Sequence, residues 1–589
     1  MRTRLVALTL AALTPSWAHA QNPPVTVAVD AAANRHAISP LVYGVHFAPT
    51  ATLQDLNATV NRYGGNSSGR YNWLENIDNR GGDYFFESIP YPDPAQGELG
   101  DTFISTTKAG GAEPFLTMPM VGWVARTNAF RDTLCSFSVA KYPGQTGADG
   151  DCGSGCLAGP DTYPCQTGTP FLAADPTDAS IPADGAFQQN WMAHIKGVFG
   201  PASLGGLRYW GLDNEPTIWH NVYWDVHPLP ADTDEMRAKM IDYGSRIKSV
   251  DPTAQVLGPE EWGWDAYFYS GKDQQLLSQV ACNGPDCPDR LAQGGLDYTA
   301  YLLDQLHQYE AGGGGRILDM LTEHFYPQTG EFSPDTSPAT QDLRNRSTRG
   351  LWDPNYVNES FINDTVRLIP RMKDWVDTYY PGTKIGLTEY DWGADNHING
   401  ATAEADLLGI FGREGLDMAL KWNPPVLGSP VAKAFQMYRN YDGAKSTFGD
   451  TSVSATSAAN PDNLAAFAAE RTSDSALTVM VVNKQRVGSI TTTVNLANYA
   501  ATGNVEVWQL TSANSITHVT DFAYAGGTFS RSLPPQTVTL FVVHGSGGGP
   551  ATADLAISKT DGQTTASPSQ SVTYAIVASN AGPGDANGA

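Results

Sequence analysis

The segment RYWGLDNEPTIWH, residues 208–220, sets Tyr209, Trp210 and Leu212 in an apolar run and then presents Asp213, Asn214 and Glu215 in succession before Pro216. The run reads as a buried strand. A charge left uncompensated at its end would be costly, so the carboxylate predicts a local task. A second segment, KIGLTEYDWG, repeats the design with Thr388, Glu389 and Tyr390. Two carboxyls delivered at strand ends can cleave a glycosidic bond. One protonates the poor leaving oxygen, while the other attacks, or activates water, at the opposite face of the sugar ring. Charge coupling raises the proton affinity of one of them; the proton donor is assigned to Glu215 and the nucleophile to Glu389. A lone Asn-Glu-Pro is a common turn ending, and it is the second Glu that turns the pattern towards chemistry.

The neighbours follow the same logic. Asn214 is expected to donate to a sugar hydroxyl beside the reacting carbon. EHFYP places Tyr326 to hold the nucleophile and His324 on the same floor, while NRYGGNSSGRYNW offers Arg62 and Asn66 to a carboxylate or a substrate hydroxyl. Trp262, Trp264 and Trp392 are expected as walls on which sugars stack, with packing between loops as the alternative. Asp213 is read as a partner of backbone donors. Glu260 and Glu261 are read as helix caps or partners of a barrel arginine, and His220 and His227 as loop hydrogen-bonders. With no third ligand beside those histidines, no catalytic metal is expected.

These residues need a frame. From 40 to 443, short apolar segments alternate with helical patterns, which predicts a (β/α)8 TIM barrel, an α/β fold whose active site lies at the C-terminal ends of the strands. The eight strand candidates are LVYGVHF, TVNRYGGN, PFLTMPMVGW, LRYWGLDNEP, AQVLGPEEW, ILDMLTEHFYP, KIGLTEYDWG and VAKAFQMYRNYDG. Met236, Met240, Tyr243 and Ile247 recur at helical spacing between the fourth and fifth, and Leu368, Met372, Trp375, Val376 and Tyr379 do so between the sixth and seventh. The fourth and seventh strands face each other, which brings Glu215 and Glu389 together. From 444 to 545, alternating β-branched runs predict an accessory antiparallel β-sandwich, joined by a strand from residues 21–39. Residues 546–552 read as a linker. Residues 553–589 resemble the opening of the repeat domain called DUF11 and are too few to hold a core unaided.

A net charge of −25 without a basic run argues against nucleic acid as a partner. Residues 1–20 pair Arg2 and Arg4 with an apolar stretch ending Ala18-His19-Ala20, the layout of a signal peptide cut after Ala20, so the chain is expected to be secreted. No later run is long enough to span a membrane, and a monomer is expected. In an exported chain the six cysteines read as disulfides. Cys282 and Cys287 close a small loop; the pairing of Cys135, Cys152, Cys156 and Cys165 stays open among three possibilities.

Taken as a set, YWGLDNEPTIWH, VLGPEEWGW, EHFYP, LTEYDWG and AFQMYRNYDG, with ISPLVYGVHF and RYGGN near the start, resemble glycoside hydrolase family 44, the endoglucanases and xyloglucanases. The resemblance spans about residues 25 to 545. It implies a barrel with a β-sandwich, a retaining mechanism, Glu215 as acid/base and Glu389 as nucleophile. It needs no cofactor for catalysis but implies a structural calcium, for which Glu75, Asp149 and Asp151 are the expected ligands. The expected substrate is a cellulose-type glucan or xyloglucan. The alternatives are the same chemistry on xylan or mannan, or a non-catalytic carbohydrate-binding surface protein.

Overall fold

The computed structural model describes residues 21–159, 165, 171–500, 502–545, 555–560 and 575–580; the signal-peptide and linker readings at 1–20 and 546–552 lie outside them. Eight parallel strands close into a barrel in chain order. They are β1 (Gly44–His46), β2 (Val60–Tyr63), β3 (Glu113–Met118), β4 (Tyr209–Leu212), β5 (Gln255–Glu261), β6 (Met320–Phe325), β7 (Lys384–Tyr390) and β8 (Met418–Lys421). A helix follows each: α1 (Thr50–Leu56), α2 (Glu98–Ala109), α3 (Gly185–Phe199), α4 (Thr233–Val250), α5 (Tyr298–Tyr309), α6 (Leu368–Tyr379), α7 (Ile398–Glu414) and α8 (Pro430–Arg439). The α4 stripe of Met236, Met240, Tyr243 and Ile247 is buried as its spacing demands, and the Asp232 side chain caps its start by accepting from the Glu235 amide. Inside the barrel, Val60, Phe115, Tyr209, Leu257, Met320, Met418 and Leu420 form a separate apolar plug. The polar residues stand further along the same strands, at their C-terminal ends.

One strand assignment is corrected. VAKAFQMYRNYDG is not the eighth strand: residues 430–439 form α8, and the eighth strand is the short MALK segment before it. The helix has a Ser429 cap accepting from the Ala432 amide, Pro430 in its first turn, and Val431, Ala434, Phe435 and Tyr438 buried at helical spacing. Four residues buried on both faces leave too short a pattern to separate β8 from the end of a helix.

The second layer system is a β-sandwich. The strands Leu464–Arg471, Ala476–Asn483, Thr537–Val543, Thr502–Leu510 and Ile516–Ala525 form one antiparallel sheet. The N-terminal strand Asn22–Asp30 runs between Thr451–Ser457 and Ile490–Ala497 in the other, where Thr528–Leu533 forms the edge. In ALTVMVVN every residue is buried. Leu477, Val479 and Val481 face the sandwich interior, while Met480 and Val482 join the core that continues into the barrel. Alternation puts successive side chains on opposite faces, so a strand with both faces covered loses its polar half. Beyond residue 545, Leu555–Thr560 pairs antiparallel with Ala575–Asn580.

The disulfides are Cys135–Cys152, Cys156–Cys165 and Cys282–Cys287. The first two staple the insertion between β3 and α3, whose Phe137, Cys156 and Cys165 pack with Phe86 and Trp224 from neighbouring loops in a small core.

Where sandwich meets barrel, the buried Lys484 ammonium donates to Asp406 Oδ2 at 2.6 Å and to the Asn345 carbonyl at 3.1 Å. Thr348 donates to the same carboxylate at 2.7 Å. Lys484→Met strands that carboxylate, and a loss of roughly 3–5 kcal/mol is expected. The check is the denaturation midpoint, which falls in the single variant and recovers in Lys484→Met/Asp406→Leu; equal midpoints in all three would remove the ion pair from the stability argument.

Candidate active site

At the end of β4 the chain leaves regular geometry: Asp213 and Glu215 both take positive φ, 65° and 45°. Asp213 is fully buried and stabilises the turn, accepting from the Met120 amide at 2.5 Å and the Asn214 amide at 2.8 Å. The Glu215 amide donates to the Glu260 carbonyl of β5 at 3.0 Å. Glu215 is thereby turned into the barrel mouth, its side chain 15% exposed.

Arg62 on β2 is the hub. Completely buried, it donates from Nη1 to Glu389 Oε1 at 2.7 Å and to His46 Nε2 at 2.9 Å. From Nη2 it donates to Glu260 Oε2 at 2.5 Å and Asn214 Oδ1 at 3.0 Å. Burial opposes its charge, but Glu260 and Glu389 overcome that and raise its pKa. A Cβ on Gly64 would lie 2.1 Å from Arg62 Cζ, so RYGGN needs glycine where the guanidinium folds back over the chain. Since Arg62 can only donate, His46 Nε2 must accept and its Nδ1–H donates to the Lys421 carbonyl at 2.9 Å. Burial, then Arg62, hold His46 neutral.

Glu389 on β7 receives Arg62 on one oxygen and the Tyr326 hydroxyl on the other, at 2.7 Å. His324, beside it on β6, bridges the two acids: its Nδ1 lies 2.9 Å from Glu215 Oε1 and 3.5 Å from Glu389 Oε2. Burial pushes His324 down to about 3 against the pull of Glu389, so the ring is neutral. A carboxylate oxygen of Glu215 and one of Glu389 lie within 4.8 Å of each other. Burial pushes Glu215 up to about 7, Arg62 opposing and Asp83 adding to the rise. The acids share a cleft of about 680 Å³, whose aromatic walls are Phe47, Tyr63, Tyr91, Phe103 and Trp422. One protonated and one paired carboxyl across an open cleft suit acetal cleavage.

Comparison with known proteins agrees. The model of glycoside hydrolase family 44 matches residues 77–329. The crystal structure of CelM2, described as a bifunctional glucanase-xylanase from a metagenome library, is 53% identical, with 89% of this chain and 100% of that one covered and a TM-score of 0.86. The chain belongs to glycoside hydrolase family 44. The family 44 xyloglucanase of Paenibacillus polymyxa, solved with xyloglucan, is 26% identical over 89% of this chain and 100% of its own, with a TM-score of 0.73. Endoglucanase A of Paenibacillus lautus is 29% identical over 95% of this chain and 78% of its own. The protein is a glycoside hydrolase.

Of the residues singled out in the sequence, Glu215, Glu389, Asn214, Arg62, Asn66, His324 and Tyr326 meet at this family 44 cleft. The tryptophans do not. Trp392 is 2% exposed, packs on Phe325 and donates to Ser347 Oγ at 3.0 Å, so no sugar reaches it. Trp264 is covered by Arg371 and packs on Phe268, and Trp262 donates to Gln274 Oε1 at 3.0 Å; neither lines the cleft. The walls come instead from Tyr63 on β2, Tyr91 and Phe103 before and within α2, and the loops after β1 and β8, where Phe47 stands 39% exposed and edge-on to Trp422.

Glu75, Asp149 and Asp151 do not fit a calcium ion as a set. Glu75 accepts from the Thr127 amide, Asp149 from Tyr84, and Asp151 from Ser138 and the Ala140 amide. The one acidic and histidine triad that converges among the described residues is Glu215, His324 and Glu389. Glu260 is the partner of a barrel arginine, Arg62, one of the two readings its sequence allowed, while Asp83, Phe47 and Trp422 were not singled out. Its signal was the doubled Glu-Glu ending β5; Phe47 ends the strand candidate LVYGVHF, whereas Asp83 and Trp422 follow no pattern read in the sequence.

Arg62→Lys replaces a planar fork holding four acceptors with a point charge. Loss of the Glu389 orientation predicts a kcat lower by roughly 10²-fold, checked by hydrolysis rates alongside circular dichroism; unchanged kcat in a folded variant contradicts the hub. Beneath the site, Glu261 is fully buried, accepts from Thr217 and Tyr298, and is pushed up to about 8 by burial. Its folded pKa exceeds the ordinary value of about 4.3, so its stabilisation is complete below that value and is lost as pH climbs through about 8. Glu261→Gln is expected to flatten the decline of the thermal midpoint between about pH 4.3 and about pH 8; an unaltered slope denies Glu261 that role.

Proposed function

We propose that the protein is a secreted, retaining endo-β-1,4-glucanase of family 44 acting on cellulose-type glucan and xyloglucan. The observation that carries the mechanism is the separation of the two acids. Oxygens within 4.8 Å suit direct attack, for which carboxyls about 5–5.5 Å apart are typical, whereas inversion needs roughly 6.5–9.5 Å to admit a water.

In the first half-reaction a Glu389 oxygen bonds to the anomeric carbon as the glycosidic C–O bond breaks, and the Glu215 proton passes to the departing oxygen. In the second, Glu215, now a carboxylate, takes a proton from water whose oxygen attacks the same carbon and releases Glu389. Arg62 and Tyr326 hold the attacking carboxylate in plane. The Glu215 value of about 7 keeps the donor protonated in mildly acid solution. Asn214 Nδ2 donates to Asn66 Oδ1 at 2.9 Å, and its second N–H serves the hydroxyl beside the reacting carbon.

Substrate and location rest on separate supports. The xyloglucan complex of the Paenibacillus polymyxa enzyme favours a branched glucan, and the description of CelM2 as a glucanase-xylanase favours xylan as a second substrate of the same cleft. Disulfides and the basic-then-apolar start at residues 1–20 support export. Among the described residues no helix is long and apolar enough to cross a membrane.

Carboxymethylcellulose, xyloglucan, xylan and mannan assayed in parallel test the substrate class, with the first two expected to release reducing sugar fastest. Glu215→Gln and Glu389→Gln are each expected to lose at least about 10³-fold in kcat. The first-formed product should keep the β-anomer by NMR, and kcat/KM should fall on the alkaline side near pH 7. An α-anomer first, or an active Glu389→Gln, ends the double-displacement reading.

A further inference from the structure

The cleft holds a third carboxylate that double displacement does not use. Asp83 closes the turn Gly81–Asp83. Gly81 has φ +55°, and a Cβ there would lie 2.7 Å from the Val222 carbonyl oxygen, so the turn sits tightly against the helix that follows the Glu215 bend. Asp83 Oδ2 accepts from Asn66 Nδ2 at 3.0 Å, Asn66 Oδ1 accepts from Asn214 Nδ2 at 2.9 Å, and Asn214 Oδ1 accepts from Arg62 Nη2 at 3.0 Å. A carboxylate only accepts and a guanidinium only donates, so the chemistry of the two ends leaves each amide between them one orientation.

We infer that Asp83 is a positioning residue for the hydrolysis, holding the Asn66–Asn214 pair in the orientation that receives the sugar and placing its negative charge in the cleft that Glu215 lines. The inference rests on Glu215 being the acid/base. Around Glu215 stand Arg62 from β2, Glu260 and Glu261 from β5, His324 from β6 and Tyr326 just after it, Glu389 from β7, and Tyr223 and Tyr267 from flanking segments. Among the charges that bear on Glu215, that of Arg62 lowers its pKa and that of Asp83 raises it, both beneath the larger effect of burial. Arg80 lines the same cleft but is paired with Asp78 at 3.1 Å, so it leaves the Asp83 charge uncancelled.

Asp83 is exposed at the surface of the cleft, where water weakens its field, although partial burial of its carboxyl raises its own pKa against the Asn66 hydrogen bond. A polysaccharide lying in the cleft displaces that water, and the same charge then acts more strongly. The effect belongs more to the enzyme–substrate complex, reported by kcat, than to the free enzyme, reported by kcat/KM.

Two variants separate charge from hydrogen bond. Asp83→Asn keeps an oxygen that can accept from Asn66 and removes the charge; Asp83→Ala removes both. With xyloglucan as substrate, Asp83→Asn is expected to move the alkaline limb to lower pH, further in kcat than in kcat/KM. Asp83→Ala is expected to show the same shift and a plateau kcat roughly tenfold below that of Asp83→Asn. An Asp83→Asn limb coinciding with the parent's overturns the charge role, and equal plateaus for the two variants overturn the positioning role. Glu215→Gln in the same series keeps the readings apart. If it is inactive while both Asp83 variants match the parent, the Asp83 inference alone fails; if it is active, the acid/base assignment fails.

Discussion

A single guanidinium sealed from water is the constraint around which the site is organised. Arg62 carries its charge where none is tolerated alone, and it persists because Glu260, Glu389, His46 and Asn214 surround it with acceptors. Those partners come from β5, β7, β1 and the end of β4, so one side chain ties together strands on all sides of the barrel. Groups held on strands and locked through a shared partner keep their geometry better than groups on loops. Glu260 contributes twice, with its carboxylate to Arg62 and its carbonyl to the amide of Glu215. The two acids are therefore positioned by the same hub, Glu389 directly and Glu215 through the β5 backbone.

The site also shows how identical side chains are made chemically unlike. Glu215 meets a neutral histidine and a low-dielectric wall, and burial lifts it to about 7. Glu389 has a cationic donor on one oxygen and a phenol on the other. Environment rather than residue type divides the labour. The neutrality of His324 matters here: an imidazolium between the two acids would stabilise both as anions and remove the proton donor.

The barrel's outer wall adds a second lesson. The sheet containing Ala476–Asn483 presents one face to the sandwich core and the other to α7, so the accessory domain shares the barrel's apolar core. The buried Lys484–Asp406 pair sits in that shared wall. Such a pair adds little net stability over an apolar replacement, yet it is costly to break on one side, which favours one register of the two layers.

Much of this was legible in the linear chain. Apolar runs ending in Asn214-Glu215 and Thr388-Glu389 announced strands that deliver acids, and helical spacing in 236–247 and 368–379 announced what lies between them, because local periodicity follows from backbone geometry alone. The eighth strand escaped because four buried residues carry no period. Trp392 was misjudged because position near a strand end does not tell which way a ring turns, and burial in the core stabilises it as well as stacking would. What only the tertiary structure decided is the company each charge keeps: that Arg62 lies between Glu260 and Glu389, that His324 bridges the acids, that Asp83 reaches the cleft from a patternless loop. Sequence dictates short-range geometry through sterics and hydrogen bonding, but the meeting of residues hundreds of positions apart is a property of barrel closure, and the proton affinities follow from that meeting.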